Sequence, residues 1–327
     1  MDLLFTHNTA LHYLRSQPDG VSRRTIELPG TAAAVKDTRR PSTHSNLPTI
    51  YDITAIPDEV PLHISVTTKS ERIHEPGIEC HTLSPEHIPP LSFTPVSKGV
   101  YTASPELCFV NMANELPFLA LVKLGFELCG SYSLGGDAER GFIDRRPLTT
   151  ASRLAEFATQ AQGMHGAKSA RKAASYVIDG AASPMETALA MLLCLPHSLG
   201  GYGIERPVLN GTVNVPPSLQ RTLRARRFKC DLLWPDHHLD VEYDSDRYHT
   251  GAERITHDAD RRNALKRLGI DVIVVTRERA MNVNRFDETA QIIAKSTGKR
   301  LRIRNDSFLQ RRGELRRTLF YSVDTTL

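Results

Sequence analysis

Between Phe228 and His249 the chain alternates apolar and polar residues more regularly than anywhere else. Phe228, Cys230, Leu232 and Trp234 are apolar at every second position, and Leu239, Val241 and Tyr243 resume the alternation after a break. Side chains on a strand point to opposite faces in turn. The period of two therefore predicts a β-hairpin with those seven residues on one face and Lys229, Asp231, Leu233, Asp240, Glu242 and Asp244 on the other. Pro235-Asp-His-His238 supplies the turn.

The same reading places the other elements. Leu3 to Arg15 has helical spacing, with Thr6 or Asn8 as cap, and a short Ala-rich helix is expected at 31–35. Leu62 to Thr67 and Ile78 to Leu83 alternate like two strands that pair around Pro76-Gly77. Ser104-Pro105 opens a helix toward Leu116, and Pro117 restarts it from Phe118 to Cys129, where Gly130 ends it. Residues 131–147 read as a Gly-rich surface loop, and helices follow over 149–162 and 168–178. Ser183-Pro-Met-Glu186 opens a nearly all-apolar helix to Leu195. A strand at 206–215, the hairpin, a helix at 253–268, a β-branched strand at 270–276 and a helix at 286–296 complete the order. Such an order implies an α/β fold, with a mixed sheet covered by helices and preceded by an α+β N-terminal domain. The domains are expected at 1–165 and 166–300, with 301–327 a basic C-terminal tail.

Length and composition bound the picture. At 327 residues with 40% hydrophobic content the chain suits two domains with real cores. No apolar run approaches the roughly 20 residues of a membrane span. Met1-Asp2-Leu-Leu-Phe5 lacks the basic start of a signal peptide, so a soluble cytoplasmic protein is expected. The five cysteines are scattered, without a Cys-x-x-Cys, and indicate neither a disulfide framework nor a zinc site. His63, His74, His81 and His87 recur without a His-x-x-x-His or a matched acid, and His7 and His12 stand five apart. All six are read as surface or packing residues. The net charge of +4 is small, but Arg221, Arg224, Arg226, Arg227 and Lys229 lead into the hairpin, and eight Lys and Arg between Lys299 and Arg317 crowd the C-terminus. Basic segments around an acidic centre suit a polyanion held over a metal; a solvated basic tail is the alternative.

A four-residue turn sets Trp234 opposite Leu239 and Asp231 opposite Glu242. Directly opposed Cβ atoms lie about 4.5–5.5 Å apart, where like charges destabilise each other. A divalent cation with hard oxygen preference, Mg²⁺ or Mn²⁺, compensates. The alternative is a one-sided sheet whose acids are simply solvated. Glu186 also carries two readings: a capping box with Ser183, or a helix-borne carboxylate reaching the hairpin's metal. The same register puts Lys229 opposite Asp244.

Taken together, Asp231-Leu-Leu-Trp-Pro, Leu239-Asp-Val-Glu-Tyr-Asp244, His249, Asp258-x-x-Arg261, Leu265 and Gly269-Ile-Asp-Val resemble the very-short-patch-repair-like endonuclease domain of the PD-(D/E)XK nuclease superfamily, over residues 180–298. The texture of residues 1–125 is similar to the central part of AbiEi-type abortive-infection antitoxins, without the winged-helix domain that usually precedes it. The first resemblance implies that Asp231 and Glu242 hold Mg²⁺ or Mn²⁺, that Glu186 is the helix-borne acid, and that the substrate is nucleic acid, in the first instance DNA. It makes His249 a proton shuttle rather than a packed or surface histidine. Arg261 or Arg262 then clamps a phosphate, or else belongs to a solvated basic face. The superfamily's lysine, two residues after the glutamate, is Asp244 here, and Ser245 replaces the usual glycine; Lys229 on the partner strand is the candidate replacement for the ammonium. The expected function is a metal-dependent endonuclease, with partner or substrate selection by the N-terminal half. A non-catalytic, antitoxin-type nucleic-acid-binding regulator is the alternative.

Overall fold

The computed structural model describes residues 3–17, 60–135, 140–244, 252–301 and 306–321. The chain is α/β and divides into two compact units between Val177 and Ile178, later than the expected break at 165. The helix at 167–174 therefore belongs to the first unit, where Ala167, Ala170, Ala173 and Ala174 are buried on one side of it.

The first unit is built on a five-stranded sheet. Its strands are β1 (Leu3–Phe5), β2 (Leu62–Val66), β3 (Ile78–Thr82), β4 (Phe93–Ser97) and β5 (Val100–Ala103), in the order β3-β2-β1-β5-β4. Leu3-Leu-Phe5 is a central strand and not the start of a helix. Thr6, in extended conformation, separates it from α1 (His7–Ser16). β2 and β3 do pair, but in parallel, with Ile64 beside Cys80, because a 3₁₀ turn at Lys69–Glu71 carries the chain back before it pairs. Phe5, Ile64 and Cys80 form the apolar cluster on one face, with Ile73 and Ile78 against it.

Four further helices follow: α2 (Pro105–Met112), α3 (Phe118–Cys129), α4 (Ala151–Gln160) and α5 (Ala167–Ala174). The Ser104 hydroxyl accepts the Leu107 N–H and so starts α2 as its residue type predicts. The expected loop at 131–147 contains a short antiparallel pair, β6 (Tyr132–Leu134) and β7 (Phe142–Asp144). Arg15 grips the buried Glu127 with two hydrogen bonds of 2.9 and 2.8 Å, and the Leu134 N–H adds a third at 3.0 Å. The buried Arg145 donates to the carbonyls of Tyr132, Leu14 and Glu127. These bonds tie α1, α3 and the β6–β7 pair together through charges that are compensated in place.

In the second unit a four-stranded mixed sheet runs β11-β10-β9-β8. The elements are α6 (Pro184–Cys194), β8 (Val208–Asn214), α7 (Pro217–Leu223), β9 (Arg227–Trp234), β10 (Leu239–Asp244), α8 (Ala252–Arg267), β11 (Asp271–Thr276), α9 (Arg277–Met281), α10 (Val283–Ser296) and α11 (Asp306–Phe320). β8, β9 and β10 pair antiparallel, and β11 joins β10 in parallel after the α8 crossover. Along α6, Leu189, Ala190, Met191, Leu192 and Leu193 are fully buried, as an all-apolar helix must be.

Residues 306–320, expected as part of a solvated tail, are helical and docked. Phe308 and Leu315 are buried. The arginines on this helix find acceptors within the unit: Arg312 pairs with Asp287, and Arg316 donates to the carbonyls of Ala280 and Met281, both at 2.6 Å, where α9 ends. Cationic groups at the end of a helix satisfy its last carbonyls, and this use absorbs charge that the sequence presents as free. Among the described residues no helix is long and apolar enough to cross a membrane. The Ala-rich segment at 31–35 lies outside the described residues.

Candidate acidic site on the four-stranded sheet

The hairpin turns as its sequence dictates. Pro235–His237 form a single 3₁₀ turn, and His238 adopts φ 50°, with its N–H donating to the Pro235 carbonyl at 3.1 Å. The strands pair with Trp234 opposite Leu239, Leu233 opposite Asp240 and Leu232 opposite Val241. The paired register ends there, and beyond it the Asp231 side chain takes the Tyr243 N–H, so the expected Asp231–Glu242 pair is not part of the ladder.

The strict alternation fails at one place. Cys230 and Leu233, an odd number apart, share one apolar cluster with Leu265 and Ile270, against which Phe228 and Val272 also pack. Phe228 and Cys230 thus sit with Leu233 and not with Leu232 and Trp234. The break falls where the β8–β9 ladder skips Asn210, between the pairs Leu209–Leu232 and Gly211–Cys230. Asn210 has φ 51°, an irregular strand conformation that re-aims neighbouring side chains. Asp231 stands opposite this irregularity.

Three elements carry the acids. Glu186, buried at the first turn of α6, accepts the Ala182 N–H at 2.8 Å and the Ser183 hydroxyl at 3.0 Å. The side chain of Ser183 accepts the Glu186 N–H at 3.1 Å in return, so Ser183 caps α6, while Glu186 closes back on the Ala182 N–H and not on the Ser183 N–H of a full capping box. Asn210 donates to Glu186 as well and to the Gly180 carbonyl at 2.9 Å, which joins β8 to the start of α6. Asp231, on β9, accepts the Tyr243 backbone N–H at 3.0 Å. Burial, then the Glu186 carboxylate, push the Asp231 carboxyl up to about 6; Glu242 adds to the rise, while the Tyr243 hydrogen bond and Arg261 oppose it. Glu186, Asp231 and Glu242 therefore stand within electrostatic reach of one another.

Arg261 on α8 is the cation that meets this group. It forms an ion pair with Glu242 and also donates to the Lys229 carbonyl, bridging α8 to both hairpin strands. Asp240, expected on a wet face, is fully buried, with its carboxyl against Glu242 and the Cys230 thiol. Burial, then Glu242, push its carboxyl well above the usual range. Its signal in the sequence was position: it faces Leu233 and Val272 across the two ladders, both apolar.

No family model matches this chain. Nor does any curated protein or solved structure.

The remaining expected residues fall differently. The Lys229 side chain is exposed, as is Asp244 at the end of β10, and among the described residues no ion pair joins them. Arg262 is exposed on α8, and His249 lies outside the described residues. In the first unit, His7, His63 and His81, read from sequence as separate surface or packing residues, come together. Spacing along the chain gave no hint of this, because the three are joined only by the pairing of β1, β2 and β3.

Proposed function

We propose that the second unit is a divalent-metal-dependent endonuclease that hydrolyses phosphodiester bonds in DNA, in the cytoplasm, and that the first unit selects its partner or substrate. The observation that carries this reading is geometric: the Tyr243 N–H holds the Asp231 carboxylate beside the strand that bears Glu242, with Arg261 as the facing cation. Arg261 is the one cation shown against these acids, and the buried Asp240 beside Glu242 adds to the crowding of carboxyl groups. Hard oxygen donors of this kind fit Mg²⁺ or Mn²⁺, with Asp231 and Glu242 as the holding residues; the Glu186 carboxylate, engaged by Ala182, Ser183 and Asn210, acts on Asp231 through its charge. When bound, the ion would supply an activated water and neutralise charge on the phosphate. The chain's own residues position and exclude: the Tyr243 N–H fixes Asp231, the Ser183 cap fixes Glu186, and Arg261 steadies Glu242. The order helix, three antiparallel strands, helix, parallel strand also agrees with the resemblance to very-short-patch-repair-like endonucleases.

A second reading keeps the fold without turnover, as a nucleic-acid-binding regulator. What favours it is that Arg261 already neutralises Glu242, and that Asp244 stands where the superfamily has its lysine. A plasmid-nicking assay with Mg²⁺ or Mn²⁺ separates the two. The wild-type chain is expected to convert supercoiled plasmid to open circles, with Asp231→Ala at least about a hundredfold slower. Equal cutting by both proteins would sink the proposal, and DNA binding without cutting would favour the regulator.

A further inference from the structure

We infer that His7, His63 and His81 form a binding site for a transition-metal dication of the Zn²⁺ class, separate from the acidic site and independent of its reading. One ring nitrogen from each histidine lies within 4.8 Å of the other two. The His63 Nδ1 and His81 Nε2 atoms are 3.0 Å apart. Zinc binds imidazole nitrogen at roughly 2.0–2.1 Å in a tetrahedron, which spaces neighbouring ligand nitrogens by about 3.3 Å. The His63 and His81 nitrogens are thus near ligand spacing, and the His7 ring, stacked on His81, would turn to aim its nitrogen at the same ion.

The fold brings them together for definite reasons. In the parallel β2–β3 register His63 pairs with Glu79 and Ser65 with His81, so these four side chains share a face while Ile64 and Cys80 fill the apolar cluster on the other. The short β1 strand beside β2 delivers Thr6 and His7 to the same place. His7 adopts φ 49°, a left-handed conformation uncommon for a residue with a side chain, and its ring stacks on His81 with centroids 3.6 Å apart.

The surroundings resemble a ligand shell more than a packed core. His7 Nδ1 is 3.0 Å from the Thr6 hydroxyl, which lies 2.7 Å from the Ser65 hydroxyl. A hydrogen bond to one ring nitrogen orients the imidazole and leaves the other, here Nε2, for a metal. The Glu79 carboxylate is 3.7 Å from His63 Nδ1 and is largely exposed, which suits an adjustable fourth ligand. A cavity of about 390 Å³, lined by Arg72, His74, Glu79 and His81 among others, opens beside the cluster and gives an ion or small ligand a way in. Three histidine nitrogens with an exposed carboxylate in reach make a four-ligand set of the kind zinc takes, with the cavity as its way in.

The test uses the full-length chain, stripped with a chelator and titrated with Co²⁺, whose tetrahedral complexes absorb strongly in the visible. About one equivalent of Co²⁺ is expected to raise these bands, and Zn²⁺ to abolish them. His81→Ala, at the half-buried edge strand, is expected to weaken binding at least about tenfold. Asp231→Asn, in the other unit, is expected to leave the bands unchanged. Absence of tetrahedral bands in the wild-type chain, or unaltered bands in His81→Ala, would overturn the site. A second measurement needs no variant: the Co²⁺-loaded wild-type chain should show paramagnetically shifted proton signals from three histidine rings, and fewer than three would overturn the assignment.

Discussion

The Asp231 carboxylate accepts the backbone N–H of Tyr243 at 3.0 Å, so an acid on β9 is held by the residue that follows Glu242 on β10. This bond brings two like-charged side chains to neighbouring positions and keeps one of them from swinging away. Burial, then the Glu186 carboxylate, raise the Asp231 carboxyl, with Glu242 a smaller contributor, while the Tyr243 bond itself works against the rise.

Asp231→Asn keeps an acceptor for the Tyr243 N–H and removes the charge. The folded-state value, raised from 3.8 to about 6, means that the folded chain binds more protons than the unfolded chain in that window. Stability from this group is present below the lower value and is lost as pH rises through the upper one. In chelator at pH 8, Asp231→Asn should therefore be more stable than wild type, by roughly 1–3 kcal/mol. The advantage should vanish near pH 4. Urea unfolding at both pH values measures it; a variant less stable than wild type at pH 8 contradicts the account of a charge raised by burial and by neighbouring carboxylates.

Glu186→Gln distinguishes cap from chemistry. The carboxamide oxygen can still accept from Ala182 and Asn210, and the Ser183 hydroxyl can turn to accept from the new NH₂ group. Stability should change by less than about 1 kcal/mol, whereas Glu186→Ala should lose about 1–2 kcal/mol with the cap. Metal-dependent cleavage should fall at least about a hundredfold in both. Wild-type cutting by the Gln variant would leave Glu186 a capping residue and nothing more.

Acid should unfold the first unit through Glu127. Burial pushes this carboxyl up, but the Arg15 charge and hydrogen bonds, with Arg145 and the Leu134 N–H, outweigh it and hold the net value below 4.5. A depressed carboxylate stabilises above its unfolded value, and that contribution is lost as pH falls through the folded one. Arg15→Ala leaves the buried charge without its main partner and should cost about 3–5 kcal/mol at pH 7. Its acid-unfolding midpoint, followed by circular dichroism, should move to higher pH. An unchanged midpoint would mean that Arg145 alone suffices.

What the sequence discloses depends on whether the deciding contact is local. Caps and punctuation are local: Ser104, Thr150 and Ser183 each accept the N–H three residues on, and the hairpin register follows from a four-residue turn. The face exchange at Asp231 was hidden, because it depends on Asn210 in another strand. Asp240 looked solvated in an alternating string but is buried between two apolar neighbours that only the sheet supplies. The arginines of α11 looked like a free basic tail because their acceptors, Asp287 and the Ala280 and Met281 carbonyls, are some 25 to 36 residues away. Arg261, expected as a phosphate clamp or part of a solvated basic face, is instead the partner of Glu242, a contact set by the packing of α8 on the sheet.

Arg261→Ala tests what that pairing does. Removing the guanidinium leaves Glu242 with Asp231, Asp240 and Glu186 nearby and no ion pair, and it also frees the Lys229 carbonyl. The melting temperature in chelator should fall, and by more at pH 8 than at pH 5, since the unbalanced charge grows as the carboxyls ionise. If Arg261 balances charge that a divalent ion also balances, Mn²⁺ should raise the melting temperature of Arg261→Ala by more than it raises that of wild type. Differential scanning fluorimetry with and without Mn²⁺ measures both effects. If Mn²⁺ stabilises neither protein, the acids do not hold a metal, and Arg261 is simply the counter-ion that lets these strands lie side by side.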